Sequence, residues 1–461
     1  MLFHSTRGKD KDKTFEQVLM QGLADDGGLF IPDNWPKVDI NKLKELDTFL
    51  DVAKYIVPMF TQSSFDKSEV EEVLNNTWHD FSEKDLIKIF DIDESTSILE
   101  LFHGPTAAFK DFGLQLAAAF FNKTLQTQNK TAVVFGATSG DTGSAAIDAC
   151  KEFDLIKSFI LIPDGNMSEI QRKQMTTVDK SNVFPILVSG TFDDCQDIVK
   201  KGFSERSFLR DDQYLLAVNS INWVRIIGQI CYYFYASLIV NKLSHPLNFS
   251  VPTGNFGNVF ACYAASKMGM PLEKIIVAVN SNDILDRFFK NNDYSKKTVS
   301  ETISPSMDIS VASNFERLVY DFYLNRNSEA CSNLYNNFPE YGIKIDDEMW
   351  QKSEDLFMSY SINDDSTYES MKFYNNEYNY VMDPHTAVAA KAVSSLKDKL
   401  KNKTIILSTA HPAKFPNALK NAGIISDDIP DNLSKVISKE EVASKLSASE
   451  DSIFNYIEEN N

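Results

Sequence analysis

The chain has 461 residues, enough for about three domains and for a core that can enclose a site. Its 46 Lys and Arg against 65 Asp and Glu leave a formal charge of −19, so the bulk surface is unsuited to nucleic acid or an anionic membrane, and any anionic ligand must be held locally. An apolar fraction of 43% with 18 glycines and 15 prolines excludes collagen-like, low-complexity and largely disordered classes.

Residues 1–13 show no apolar stretch of the kind a secretory signal carries, and a cytoplasmic location is expected. Helical patterns at 14–23 and 66–81, separated by the turn-rich DDGGLFIPD at 25–33, predict an N-terminal accessory domain over 1–96. From 97 onward, β-branched runs lead through Gly-rich turns into Ala-rich helical patterns, the signature of strand-loop-helix units in a parallel sheet. The expected division is a lysine-bearing α/β domain over 97–245 and a larger α/β domain over 246–461, with polar insertions between 290 and 380. The apolar stretch 226–240, interrupted by Gly228, Gln229 and Ser237, is too short and mixed to span a bilayer and reads as a buried core helix. Cysteines at 150, 195, 231, 262 and 331 form no CxxC pair, which fits a reducing compartment better than a disulfide framework or a zinc site. No metal ligand cluster is expected.

Three strand-to-helix turns carry chemistry. TAVVFG (131–136) runs through ATSGDTG (137–143) into a helical pattern at 144–153, a start whose free N–H groups suit an anion. It lacks the lysine of a Walker A loop and the spacing of a dinucleotide fingerprint; alone, it is no more than a tight turn that needs glycines. LNFSV (247–251) then leads through PTGNFGN (252–258) into a helix at 259–267. Gly254 and Gly257 let the backbone approach a phosphate, and Asn255 and Asn258 add uncharged donors, which makes a phosphate cup. In the third, TIIL (404–407) meets STAHPAKFP (408–416), with Ser408 and Thr409 at the carboxyl end of a strand, where ligands of open α/β sheets sit.

Lys110 unites these turns. It stands between Phe109 and Phe112, before the mostly apolar 114–121. If it faces inward, desolvation favours the neutral amine, a nucleophile for aldehydes. A lysine and a separate phosphate cup, without a nucleotide fingerprint, point to a phosphorylated aldehyde cofactor, and pyridoxal phosphate uses both features.

The motifs STR (5–7), DGGLFIP (26–32), HGPTAAFKDFG (103–113), GATSGDTG (136–143), NSINWVR (219–225), TGNFGN (253–258), DPHT (383–386) and STAHPAKF (408–415) stand in one order. Together they resemble the threonine synthases of the longer-chain bacterial and fungal type, within the fold-type II pyridoxal-phosphate enzymes, over nearly the whole length. The resemblance implies a tryptophan synthase β-like fold, with two parallel-sheet domains flanking an active-site cleft and an accessory N-terminal domain. It implies conversion of O-phospho-L-homoserine and water to L-threonine and phosphate. Lys110 would carry the cofactor and then move protons. Gly254, Asn255, Phe256, Gly257 and Asn258 would hold its phosphate, and Thr409 would face its pyridine nitrogen. Thr138, Ser139, Gly140 and Thr142 would receive the substrate α-carboxylate. Asp141, counted with them, stands where the wider group often has a neutral amide: it points away, is protonated, or pairs with a cation such as Lys110. For the substrate phosphate, Arg225 and Lys414 are expected ahead of Arg7, His103, His385 and His411. The competing readings are a phospholyase releasing 2-oxobutyrate and ammonia, and a noncatalytic metabolite-binding relative; a monomer or homodimer is expected.

Overall fold

Parallel strands drawn from distant parts of the sequence build two sheets in a computed structural model that describes every residue except 139, 165, 166 and 218. The larger sheet has six strands in the order Phe357–Ser361, Leu272–Val279, Leu247–Pro252, Thr404–Ser408, Thr96–Glu100 and Lys88–Asp91. All run parallel except Lys88–Asp91, which closes one edge antiparallel to Thr96–Glu100. The smaller sheet is wholly parallel, in the order Ser444–Ser447, Val183–Ser189, Ile156–Pro163, Thr131–Ala137 and Gln213–Ala217. Central strands such as Thr96–Glu100, Leu247–Pro252 and Thr404–Ser408 are buried at every residue, as sheets covered on both faces require.

Contiguous cuts at 96/97 and 245/246 do not follow these sheets. Thr96–Glu100 pairs with Thr404–Ser408, placing Ile98 opposite Ile406 in the larger sheet, and Ser444–Ser447 adds an edge to the smaller one. The reason lies in pairing across long sequence separations, which local patterning does not encode. The N-terminal helices likewise share the main core: Phe15 packs edge-on against Phe120 at 5.2 Å, and Phe49 against Tyr235 at 5.8 Å.

Helix Phe15–Gln21 starts at a Thr14 capping box, and Lys67–Asn75 starts at an equivalent box on Asp66. The second stops at Asn76 rather than running to 81, before Trp78 takes a left-handed φ of 62°. The apolar helix is longer than its apolar stretch, spanning Trp223–Asn241, because Asn222 caps it and adds a turn that carries Arg225. It is long and apolar enough to cross a bilayer, yet 89% of its most apolar stretch is buried inside the protein. It crosses helix Lys110–Gln128 at two glycines. A Cβ on Gly228 would lie 2.8 Å from Phe112 O, and one on Gly113 would lie 3.1 Å from the Arg225 backbone. Backbone-to-backbone contact there sets Lys110 and Arg225 in register.

Candidate active site

The ends of both sheets open on one cavity of about 410 Å³, lined on the Lys110 side by Phe109, Lys110, Thr138, Gly140, Asp141 and Thr142, and opposite by residues 252–258. Ser306, Asp308, Arg225, His385 and Thr409 complete its wall.

Lys110 opens its helix, and the backbone just before it is pinned to the strand that ends at Ser408. Phe109 N donates to Thr409 O at 2.9 Å, and His411 N to Ala107 O at 3.0 Å. The backbone that carries Lys110 therefore cannot move away from Thr409 without breaking a β-like bridge. Its Nζ lies 3.5 Å from Asp141 Oδ2 and 3.4 Å from Ser306 Oγ. Burial, together with the nearby charges of Lys414 and Arg225, lowers the lysine below its ordinary pKa against the opposing pull of Asp141.

Asp141 begins helix Asp141–Cys150, where a negative charge is favoured by the helix dipole. Burial alone would raise its carboxyl, but the Lys414 and Lys110 ammoniums, aided by Gln171, hold it well below the usual carboxylate range. Of the three alternatives left open by the sequence, pairing with cations is the one realised. Lys414, expected to meet the substrate phosphate, is instead fully buried off the cavity wall, with Nζ 2.8 Å from Asp141 Oδ1. A second bond to Thr106 O at 2.8 Å spends another of its donors.

The 138–143 turn is braced from within. The Thr138 hydroxyl oxygen accepts the Gly143 N–H at 3.0 Å, and a Cβ on Gly143 would strike Thr138. That leaves the first-turn N–H groups of Asp141 and Thr142 for a ligand, since such groups have no acceptor in their own helix. Ser139 lies outside the described residues.

The cup at 253–258 fits a phosphate. Helix Gly257–Met268 starts without a side-chain cap, Phe256 takes a left-handed φ of 65°, and its N–H is held by Thr253 Oγ1. A Cβ on Gly254 would lie 2.9 Å from Ser306 O, and one on Gly257 would lie 3.3 Å from Asn314 Nδ2. Tyr232 and Tyr233 hydroxyls donate to Asn258 Oδ1, at 2.5 and 2.7 Å, while Asn258 Nδ2 is buried without a partner among the described residues. An orphaned buried donor beside an uncapped helix start is what an anion would satisfy.

Arg225 is buried on the cavity wall, where among the described residues it makes one bond, from Nη1 to Asn219 O, and its Nε finds no partner. Desolvation lowers it to about 10, so it stays charged at neutral pH without a carboxylate pairing with it among the described residues. The other basic residues singled out in the sequence, His385 apart, are engaged elsewhere. Arg7 pairs with Glu316 at 2.8 Å, His103 with Glu100 at 2.9 Å, and His411 Nδ1 accepts the Ala413 N–H. His385 does reach the cavity: Nδ1 donates to Asp383 at 2.8 Å, which fixes Nε2 as the acceptor of the Ser306 N–H at 3.2 Å. Ser306, Asp308, Gln171 and Asn314 escaped the sequence reading. Ser306 and Asp308 fall in the irregular 290–380 stretch, and only their apposition to Gly254 and Asn280 brings them to the site. Asn314, whose amide donates to Ser220 O and Asn255 O, ties the cup to the turn before Arg225.

A largely buried lysine facing a phosphate cup across parallel sheets defines a pyridoxal-phosphate dependent enzyme, and the family profile of that description matches residues 98–333. Two more, "Threonine synthase N terminus" and "Threonine synthase, C-terminal", match 2–78 and 386–457. Threonine synthase of Pseudomonas aeruginosa is 40% identical over 96% of this chain and 94% of its own. Among solved structures, a pyridoxal-phosphate-bound threonine synthase from Brucella melitensis superposes with a TM-score of 0.95 at 35% identity over 99% of both chains. The yeast enzyme superposes with a TM-score of 0.93 at 38% identity, covering 100% of this chain and 98% of that one. The chain belongs to the threonine synthase family.

Proposed function

We propose that the protein converts O-phospho-L-homoserine and water to L-threonine and phosphate, with pyridoxal phosphate bonded to Lys110. The observation that carries this reading is the largely buried Lys110 amine sharing one cavity with the glycine-and-asparagine cup and its orphaned Asn258 donor.

When bound, the cofactor supplies an electron sink for protons leaving Cα and then Cβ. The chain supplies the rest. Gly254, Asn255, Phe256, Gly257 and Asn258 would hold the cofactor phosphate through backbone N–H groups and the Asn258 amide. Thr409 would offer the ring nitrogen a neutral hydroxyl. Thr138, Gly140 and Thr142, with Ser139, would receive the substrate α-carboxylate at the helix start. Asp141, already committed to two cations, faces Lys110 rather than that carboxylate, which it would repel.

Burial favours the neutral amine of Lys110, the form that can accept a proton, and Asp141 Oδ2 with Ser306 Oγ stabilises it once it carries one. Arg225 would balance the charge of the substrate phosphate and of the leaving phosphate. Phosphate would leave Cγ with its bridging oxygen, Cγ would take up a proton to become the methyl group, water would add at Cβ with its hydroxyl, and Cα would be reprotonated, giving threonine. The buried, unpaired cysteines support a reducing, cytoplasmic setting.

Turnover of O-phospho-L-homoserine by the purified holoenzyme should give threonine and phosphate in equal amounts. Release of 2-oxobutyrate and ammonia without threonine would overturn the assignment.

A further inference from the structure

Asp141 stands between two ammonium groups that meet different oxygens. On the inner side, Lys414 Nζ is 2.8 Å from Oδ1, and Gln171 Nε2 donates to the same oxygen at 2.9 Å. On the cavity side, Oδ2 lies 3.5 Å from Lys110 Nζ and 3.4 Å from Ser306 Oγ. Lys414 comes from the turn that follows Thr404–Ser408 in the larger sheet, and Asp141 from the helix that follows Thr131–Ala137 in the smaller one. The inner pair is therefore short, dry and anchored from both sheets; the outer contact is looser.

A buried carboxylate with no cation behind it would grip the Lys110 ammonium as its one charged partner. We propose that Lys414 is a positioning residue for the reaction: it holds Asp141 in place facing Lys110, and its own positive charge leaves that contact weak enough for Lys110 to give up its proton. Lys414 touches the cavity nowhere and acts through Asp141. The charged groups facing Lys110 are Asp141, Lys414 and, from helix Trp223–Asn241, Arg225; His385 and Asp308 stand further along the same wall. Asp141 favours protonation of Lys110, whereas Lys414 and Arg225 oppose it. Removing the charge at Lys414 hands Asp141 to Lys110 alone.

The inference rests on Lys110 being the residue that condenses with the cofactor aldehyde, which only the neutral amine can do. Apoprotein is mixed with pyridoxal phosphate across a pH series, and the condensation rate is followed by visible absorbance. With K414M the midpoint of the rate profile should rise by about one pH unit or more. K414Q, which keeps a donor for Oδ1 but no charge, should rise likewise and serves if K414M does not fold. K414R, which restores the charge, should return the midpoint to the wild-type position. Slower condensation at an unchanged or lowered midpoint in K414M and K414Q would mark a lysine of structural use only and overturn the proposal. Separately, borohydride reduction of the wild-type holoenzyme should leave a pyridoxyl group on Lys110; its absence overturns the underlying assignment, visibly and before any variant is made.

Discussion

Gly228→Ala tests whether the contact between the two long helices governs the site, because two effects of the same methyl group have opposite signs. In a helix interior, replacing Gly by Ala stabilises by about 1 kcal/mol through backbone propensity. Here the new Cβ would sit 2.8 Å from Phe112 O, a backbone atom that can retreat only if helix Lys110–Gln128 moves as a unit. Overpacking of that kind costs about 1–3 kcal/mol, so the balance is a net loss of up to about 2 kcal/mol. The same retreat carries Lys110 away from Arg225 and Asp141, so kcat should fall along with stability. Urea denaturation reports the first effect as a lower midpoint at unchanged slope, and turnover of O-phospho-L-homoserine reports the second. A G228A protein more stable than the wild type, with undiminished kcat, would show that propensity outweighs the contact and refute the argument.

Two further outcomes follow from charges described above. Arg225→Met removes a buried, unpaired cation from the cavity wall, and kcat/KM for the phosphorylated substrate should drop about 100-fold or more, while affinity for L-threonine, read by spectral titration, is unchanged. Burial lowers His411 to about 4, so the unfolded chain binds more protons than the folded one between that value and an ordinary histidine near pH 6.5. Stability from this group is present above about pH 6.5 and is lost as pH falls through the window, by about 3 kcal/mol in all. His411→Asn keeps an acceptor for the Ala413 N–H and should flatten that decline in urea melts; an identical slope in both proteins would count against it.

What the sequence made legible is what local chemistry writes into it. The 254–258 cup and the 138–143 turn announce themselves because glycines, asparagines and hydroxyls must sit together there, and Lys110 because an amine among phenylalanines is unusual. The strand-loop-helix alternation foretold parallel sheets for the same reason: its period is local. What stayed hidden depends on meetings between distant segments. Ser306 has no motif, and reaches Lys110 because Gly254 lets the 305–307 backbone approach and His385 holds the Ser306 N–H. Lys414 looked like a ligand for phosphate, yet its partner is a carboxylate from the other sheet, and no spacing in the chain records that. The placing of Thr96–Glu100 beside Thr404–Ser408 is hidden in the same way.

The strand Ser444–Ser447 has a bearing on synthesis. It seals the Val183–Ser189 edge of the smaller sheet, and Ser444 stands opposite Ile186. On a ribosome, that row of amide and carbonyl groups emerges early and waits uncovered while every remaining strand of the larger sheet is made. Until its last partner arrives, the nascent protein displays a sticky border to neighbouring chains, so a stall shortly before residue 444 leaves a product prone to aggregate although all its cavity-lining residues are already translated.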